Sequence, residues 1–441
     1  MSKFSELREK YPHFIYKSFK YEHKDDVLSI DYLFEISGLC EFTPHWEIPC
    51  KSFKNSSEIE KLVFSLGMAE LVSYWKITCS PLVTVEAGFV DSEMVKWWKK
   101  LYFHGLGEFF YVNKIDADPE SFMQIESKGQ KITVSSQKRS LEGALIPVGG
   151  GKDSAVSIEL LKASGIPLQC YIINPRKATL DTVRVSGLDS INVKRTLDKN
   201  MLELNKQGFL NGHTPFSAIV AFSSVLTAFL NNKKYVALSN EASANESTVL
   251  NSTVNHQYSK SLEFERDLRN YQKKYIDCEV EYFSFLRPLC ELQIAGIFSK
   301  LTKYHDIFRS CNVGSKTDIW CAKCAKCLFV YIILSPFMSE KELTCIFGAN
   351  LLDDISLKPL FDGLIGKIPE KPFECVGSRD EINAAICMTI KKSTKLPALL
   401  EYYKSLNKEE SFVNLKQYQD DCEFPEDIFA TIIKREVDLL D

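Results

Sequence analysis

A glycine-rich turn in mid-chain, Val148-Gly149-Gly150-Gly151-Lys152-Asp153-Ser154, constrains the fold more than any other segment. It lies between an apolar, strand-like run at 144–148 and a helical pattern at 153–162. Glycines let the backbone turn sharply and bring its N–H groups close to a phosphate. The following helix adds its positive N-terminal end, with Asp153 or Ser154 expected at the cap. In this strand–loop–helix setting the segment reads as a pyrophosphate cradle; the alternative is a structural glycine turn. A Walker A loop is excluded. Ile146 stands where its first glycine should be, and Asp153 follows Lys152 where Ser or Thr is required.

The pattern around the turn sets the fold class. Strand-like runs at 168–173, 191–193 and 235–238 alternate with helical stretches at 153–162, 216–230, 259–274 and 289–304. Such alternation predicts an α/β fold with a central parallel sheet covered by helices on both faces. The aromatic-rich residues before it suggest an α+β region, with a strand at 27–34, a helix at 57–76 and a polar boundary at 135–140. After Pro336 the chain reads as mostly helical, with a loop around 367–379. Three regions follow, 1–140, 141–335 and 336–441, as the length of 441 residues allows.

Composition removes several function classes. A hydrophobic share of 45% with 25% charged residues excludes long disorder. The 54 Lys+Arg against 58 Asp+Glu leave a net charge of −4, without the basic footprint of a nucleic-acid binder. The most apolar candidate span, 216–230, falls short of the roughly 20 residues a membrane helix needs and is interrupted by Ser217, Ser223, Ser224 and Thr227. It reads as a buried helix. The N-terminus carries charges where a signal peptide is apolar, so a cytoplasmic protein is expected. Most of the 14 cysteines should then be reduced thiols in the core.

The glycine turn resembles the PP-loop of the N-type ATP pyrophosphatases, whose pattern is Ser-Gly-Gly-x-Asp-Ser. Gly150 to Ser154 match it, and Gly149 replaces the first serine. The resemblance implies that Gly149, Gly150, Gly151, Lys152, Asp153 and Ser154 bind ATP. It also implies cleavage between the α- and β-phosphates, with Asp153 helping to hold Mg²⁺.

Four cysteines, Cys311, Cys321, Cys324 and Cys327, are separated by nine, two and two residues. Two-residue gaps let successive thiolates converge on one ion, and four thiolates make a closed tetrahedral zinc site, which is structural. An iron–sulfur cluster uses the same ligands, and four unrelated thiols are the plain alternative. The spacing resembles the zinc site of 7-cyano-7-deazaguanine synthase, another PP-loop enzyme.

Candidates for acid–base chemistry lie in polar segments where the strands should end. Asn211-Gly212-His213-Thr214-Pro215 precedes the helical run at 216–230. A second segment, 239–245, follows the strand at 235–238 and continues toward 254–261. Ligands of open parallel sheets bind outside the carboxyl ends of the strands, which places these segments near the glycine turn. Of the seven histidines, His213 and His256 fall here. Either can act as a general base, with Lys260 as charge clamp or desolvated base; the alternative is helix capping and loop satisfaction. Ser239, Glu241 and Asn245 fit loop shaping or adenosine binding. Trp97 and Trp98, beside Lys99 and Lys100, fit core packing better than base stacking. Lys138-Arg139, Lys194-Arg195 and Lys391-Lys392 read as ordinary surface pairs with some capacity for anion contact.

Taken together, five segments resemble the ATP-dependent UDP-N-acetylmuramoyl-L-alanyl-L-glutamate epimerase family of bacterial peptidoglycan synthesis. They are 67–76, 148–154, 211–215, 239–260 and Lys371-Pro372-Phe373-Glu374-Cys375-Val376-Gly377. The resemblance implies an isomerase that adenylates the α-carboxylate of the terminal L-glutamate of UDP-MurNAc-L-Ala-L-Glu. A base then removes the α-proton, and reprotonation on the other face gives the D-glutamyl product, AMP and pyrophosphate. His213 and His256 are cast as the proton-transfer pair and Lys260 as the stabiliser of the enolate or phosphate. Cys375 is an outside candidate as thiol base, against the alternative of a buried thiol. Residues 1–140 are the expected seat of the UDP-sugar. The competing reading is another PP-loop adenylating enzyme, of the deazaguanine nitrile synthase or amide-forming synthetase type. The sequence carries no signal for the oligomeric state.

Overall fold

The structure is a computed structural model that describes residues 2–136, 138–245 and 257–440. The fold is mixed α/β, with a large sheet and many helices. Its strands are β1 (His13–Lys24), β2 (Val27–Ile36), β3 (Cys40–Phe42), β4 (His45–Pro49), β5 (Leu82–Val85), β6 (Gln124–Ser127), β7 (Ala144–Pro147), β8 (Leu168–Ile173), β9 (Ser190–Thr196), β10 (Tyr235–Leu238) and β11 (Glu281–Ser284). The chain forms two compact units. The first is Met1–Leu145, Ile191–Val236 and Val254–Tyr282; the second is Ile146–Ser190, Ala237–Thr253 and Phe283–Asp441.

In the first unit the strand order is β9-β4-β2-β1-β5-β6, with β3 on β2. A tight turn joins β1 to β2, and both of its residues, Asp25 and Asp26, have positive φ. That is the twist-matched hairpin turn, and aspartate tolerates the left-handed region better than most residues. β5 runs parallel to β1, and β6 parallel to β5. β9 pairs antiparallel with β4. Lys194 lies opposite Glu47, and their side chains form an ion pair at 2.7 Å. The helix Ser57–Trp75 is buried over almost its whole length and packs on β1, β2 and the helix Phe216–Leu230. Gly67 lets it approach, because a Cβ there would lie 2.0 Å from the Tyr16 hydroxyl oxygen.

The second unit contains β8 and the ends of β7, β10 and β11, in the order β11-β10-β7-β8. The helix Glu291–Ser299 packs on Lys152–Leu161 and on Ala325–Leu334, and the latter packs on Arg379–Lys392. After Pro336 the chain forms helices on either side of a loop at 365–378. No helix among the described residues is long and apolar enough to cross a membrane. All fourteen cysteines are free thiols.

Candidate active site

The glycine turn leaves β7 and enters the helix Lys152–Leu161, whose N-cap is Gly151. The helix therefore starts earlier than the expected cap at Asp153 or Ser154. The cause is Gly150, whose φ of +83° turns the chain before the helix begins. Among the described residues no side chain caps the first-turn N–H groups; the Ser154 hydroxyl instead donates to the Gly151 carbonyl at 3.0 Å. A helix start left uncapped by side chains suits an anion. A Cβ at Gly150 would lie 3.1 Å from the Ala178 Cβ and 3.2 Å from the Thr179 nitrogen, and one at Gly151 would lie 3.3 Å from the Ser310 Cβ. At Gly149 a Cβ would meet nothing within 4 Å. Glycine is therefore not a steric requirement there.

Behind the turn, the ammonium of Lys152 is buried and ion-paired to Asp153 and Glu291. Burial alone would lower it, but the two carboxylates outweigh burial and hold it well above its ordinary value. Glu291 is also buried, and burial pushes its carboxyl up against the pull of Lys152. Glu291 opens the helix Glu291–Ser299, and its N–H donates to the carboxylate of Glu381. Gly377 abuts it, since a Cβ there would lie 3.1 Å from the Glu291 Cγ. The segment 371–377 thus reaches the glycine turn through Glu291. That segment is anchored by Lys326, whose ammonium bonds the Cys375 carbonyl and whose N–H donates to Glu374 at 2.7 Å. Cys375 itself is half-buried.

Ser239 is tied to the same helix, accepting a hydrogen bond from the Ser157 hydroxyl at 2.8 Å. Glu241 is buried; its carboxylate accepts from the Ser243 hydroxyl at 2.8 Å, and its carbonyl accepts from Arg287 at 2.9 Å. Asn245 ends the short turn Ala242–Asn245. Glu291 and Glu381 were not legible as site residues, because Glu291 is a single charge before an apolar helical run and Glu381 lies within the charged run Arg379-Asp380-Glu381.

The four cysteine sulfurs lie within 4.8 Å of one another. The distances Cys311–Cys324, Cys321–Cys327 and Cys324–Cys327 are 3.7, 3.7 and 3.5 Å. Zinc–sulfur bonds of about 2.3 Å in a tetrahedron give sulfur–sulfur edges of about 3.8 Å, so this donor set fits zinc. The contact with Cys327 pushes the Cys324 thiol down to about 5 and its partner up. The Gly314 N–H also donates to the Cys311 sulfur at 3.1 Å.

The cysteine loop also buttresses the glycine turn. Asp318 accepts the N–H groups of Lys177 and Ala178, both at 3.1 Å, at the start of the helix Lys177–Ser186. Ala178 is the residue against Gly150, and the Arg309 N–H donates to the Gly150 carbonyl at 2.7 Å.

The first unit holds His213. Its Nδ1 faces a Glu108 oxygen at 3.3 Å. On either side of it, the Gly212 carbonyl and the Thr214 hydroxyl both accept from the ammonium of Lys76, the latter at 2.7 Å. Burial, with a contribution from Arg195, lowers Lys76 to about 8. Lys76 closes the 67–76 segment, and the sequence offered no signal that it reaches the loop at 211–215. Lys260 bonds the Gln257 side chain at 3.3 Å. His256 lies outside the described residues.

Trp97 and Trp98 pack with Phe222 and Tyr271, while Lys100 pairs with Asp267 and Glu263, as core packing predicts. Arg195 is held by Glu70 through two bonds of 2.6 and 2.7 Å, and Lys391 pairs with Glu410. Protein carboxylates hold both.

Residues 5–285 match the MurL N-terminal domain and residues 307–411 the MurL C-terminal domain. The chain is 34% identical over 342 residues to the UDP-N-acetyl-alpha-D-muramoyl-L-alanyl-L-glutamate epimerase of Xanthomonas oryzae, which covers 76% of this chain and 75% of that protein. It is 35% identical over 324 residues to the protein of the same name from Salinispora tropica, covering 72% and 70% respectively. No solved structure matches the chain.

Proposed function

The chain belongs to the MurL family and is an epimerase, and from that premise we propose that it inverts the terminal L-glutamate of UDP-MurNAc-L-Ala-L-Glu, with ATP cleaved to AMP and diphosphate, in peptidoglycan synthesis. The observation that carries the ATP-dependent reading is the uncapped helix start behind Gly150, with the Lys152 ammonium buried beneath it. Gly149 to Ser154 would hold the phosphates in a PP-loop arrangement. Asp153 would hold Mg²⁺, a hard ion that bridges carboxylate and phosphate.

ATP would supply one thing: conversion of the α-carboxylate into a mixed anhydride. A carboxylate's neighbouring C–H is barely acidic, because its removal places a second negative charge on an anion; the anhydride removes that obstacle. His213 would take the α-proton at Nε2, and the C–H electron pair would pass into the carbonyl as an enolate. Inversion requires a second group on the opposite face, for which His256 is our candidate. Lys260 would offset the enolate's charge, and water would then cleave the anhydride. Cys375 remains the alternative base. Residues 1–140 would bind the UDP-sugar, a remote handle whose binding orients the small reacting centre. The four cysteines would hold a structural zinc.

The test uses the purified protein with Mg-ATP and UDP-MurNAc-L-Ala-L-Glu in D₂O. D-glutamate bearing α-deuterium, formed only with ATP and in step with AMP, is the expected result. Inversion without AMP would overturn adenylation, and AMP without inversion would overturn the epimerase reading.

Gly150→Ala probes the cradle directly. The positive φ costs a non-glycine residue about 1–2 kcal/mol, and the new Cβ presses on Ala178. Relieving this shifts the N–H groups, so ATP should bind about tenfold more weakly, a loss near 1.4 kcal/mol in a nucleotide titration.

A further inference from the structure

Lys76 is an expensive residue to bury. It is 6% exposed, and among the described residues its ammonium donates only to neutral oxygens, the Gly212 carbonyl and the Thr214 hydroxyl. Among the described residues no carboxylate lies within 4.0 Å of it. Buried charges are normally paired, so a lysine solvated by a carbonyl and a hydroxyl signals a requirement other than stability. The charged and titratable groups around it are Arg195 on β9, itself held by Glu70 of the helix Ser57–Trp75, Glu108 on the helix Gly107–Val112, and the buried thiol of Cys79.

Both bonds fall on the loop that carries His213, one on the residue before it and one on the residue after. The same loop is held elsewhere as well. The Asn113 side chain donates to the Asn211 carbonyl at 3.1 Å. Pro215 sits against Gly105, where a Cβ would approach to 2.7 Å. A Cβ at Gly212 would lie 3.2 Å from a Phe109 ring carbon. Three elements therefore converge on five residues, and Lys76 is the one that brackets the histidine.

We propose that Lys76 is a positioning residue for His213: its ammonium grips the loop on both sides of the imidazole and keeps Nδ1 against Glu108. A carboxylate facing Nδ1 fixes the orientation of the ring. The inference rests on the reading that His213 carries the α-proton.

The test compares Lys76→Met, Lys76→Arg, Thr214→Val and His213→Gln in the full chain, with folding checked by thermal melting. Lys76→Met should lower kcat for inversion about 100-fold and leave KM for ATP within about threefold, as expected when a reacting group is misplaced but nucleotide binding is not. The acid limb of the kcat–pH profile should move to higher pH, because removing a cation near the imidazole makes it easier to protonate. Lys76→Arg, which keeps charge and donors, should recover about tenfold, and Thr214→Val, which removes one of the two grips, should lose about tenfold. If Lys76→Met does not fold, Thr214→Val and its pH profile decide. An inactive His213→Gln beside fully active Lys76→Met and Thr214→Val would overturn the positioning role alone. A fully active His213→Gln would overturn the role of His213 itself.

Discussion

Replacement of His213 by glutamine is expected to lower kcat for glutamate inversion by about 10²–10⁴-fold, the range supplied by a positioned acid or base. Glutamine keeps much of the length and can still hydrogen-bond, but it cannot accept and return a proton at neutral pH. The imidazole is only 20% exposed, with Nδ1 at 3.3 Å from Glu108, a setting that orients the ring. Every residue of the glycine turn is intact in this variant, so AMP release should persist and become uncoupled from inversion. Chiral analysis of glutamate alongside AMP quantitation checks this. Inversion at the wild-type rate would remove His213 from the mechanism, and parallel loss of AMP would point to a binding role instead.

The second large effect is expected from the cysteine cluster. Cys324→Ser should abolish stoichiometric zinc and lower the melting temperature by about 10 °C, since structural zinc contributes several kcal/mol of folding free energy and a chain of this size loses a few degrees per kcal/mol. The loss should reach the glycine turn as well. The loop between Cys311 and Cys321 carries Asp318, whose carboxylate receives the N–H groups of Lys177 and Ala178, and Ala178 packs on Gly150. Loosening that loop should raise KM for ATP. Asp318→Ala separates the two effects: the metal stays bound, the helix loses a cap worth about 1 kcal/mol, and KM for ATP rises a fewfold. Metal analysis, melting and ATP saturation curves read these outcomes together. Full zinc content in Cys324→Ser would overturn the four-thiolate assignment, and zinc loss without destabilisation would overturn its structural role. A visible charge-transfer band in the purified protein would replace zinc with an iron–sulfur cluster.

Much of this protein was legible because its determinants are local. The strands β8 and β10 and the helix Phe216–Leu230 fall on the residues where apolar patterning predicts them, since periodicity over 4–15 residues is a short-range property. The cysteine cluster was legible for the same reason, three of its four ligands lying within seven residues. The glycine turn announced its strand and helix, although the positive φ at Gly150 moved the helix start ahead of the expected cap.

What only the tertiary structure decided are the pairings across long stretches of chain. Lys152 meets Glu291 across 139 positions, and Lys76 reaches Thr214 across 138. β9 reads as a strand from its own residues, but its antiparallel neighbour, β4, lies far upstream in the chain. In the sequence Lys76, Glu108 and Glu291 are single charges at the ends of helical runs, where a solvated residue is the ordinary expectation. Periodicity records which face of an element turns inward. It does not record which distant element meets that face, and the partners of a buried charge are fixed only when the chain closes over it.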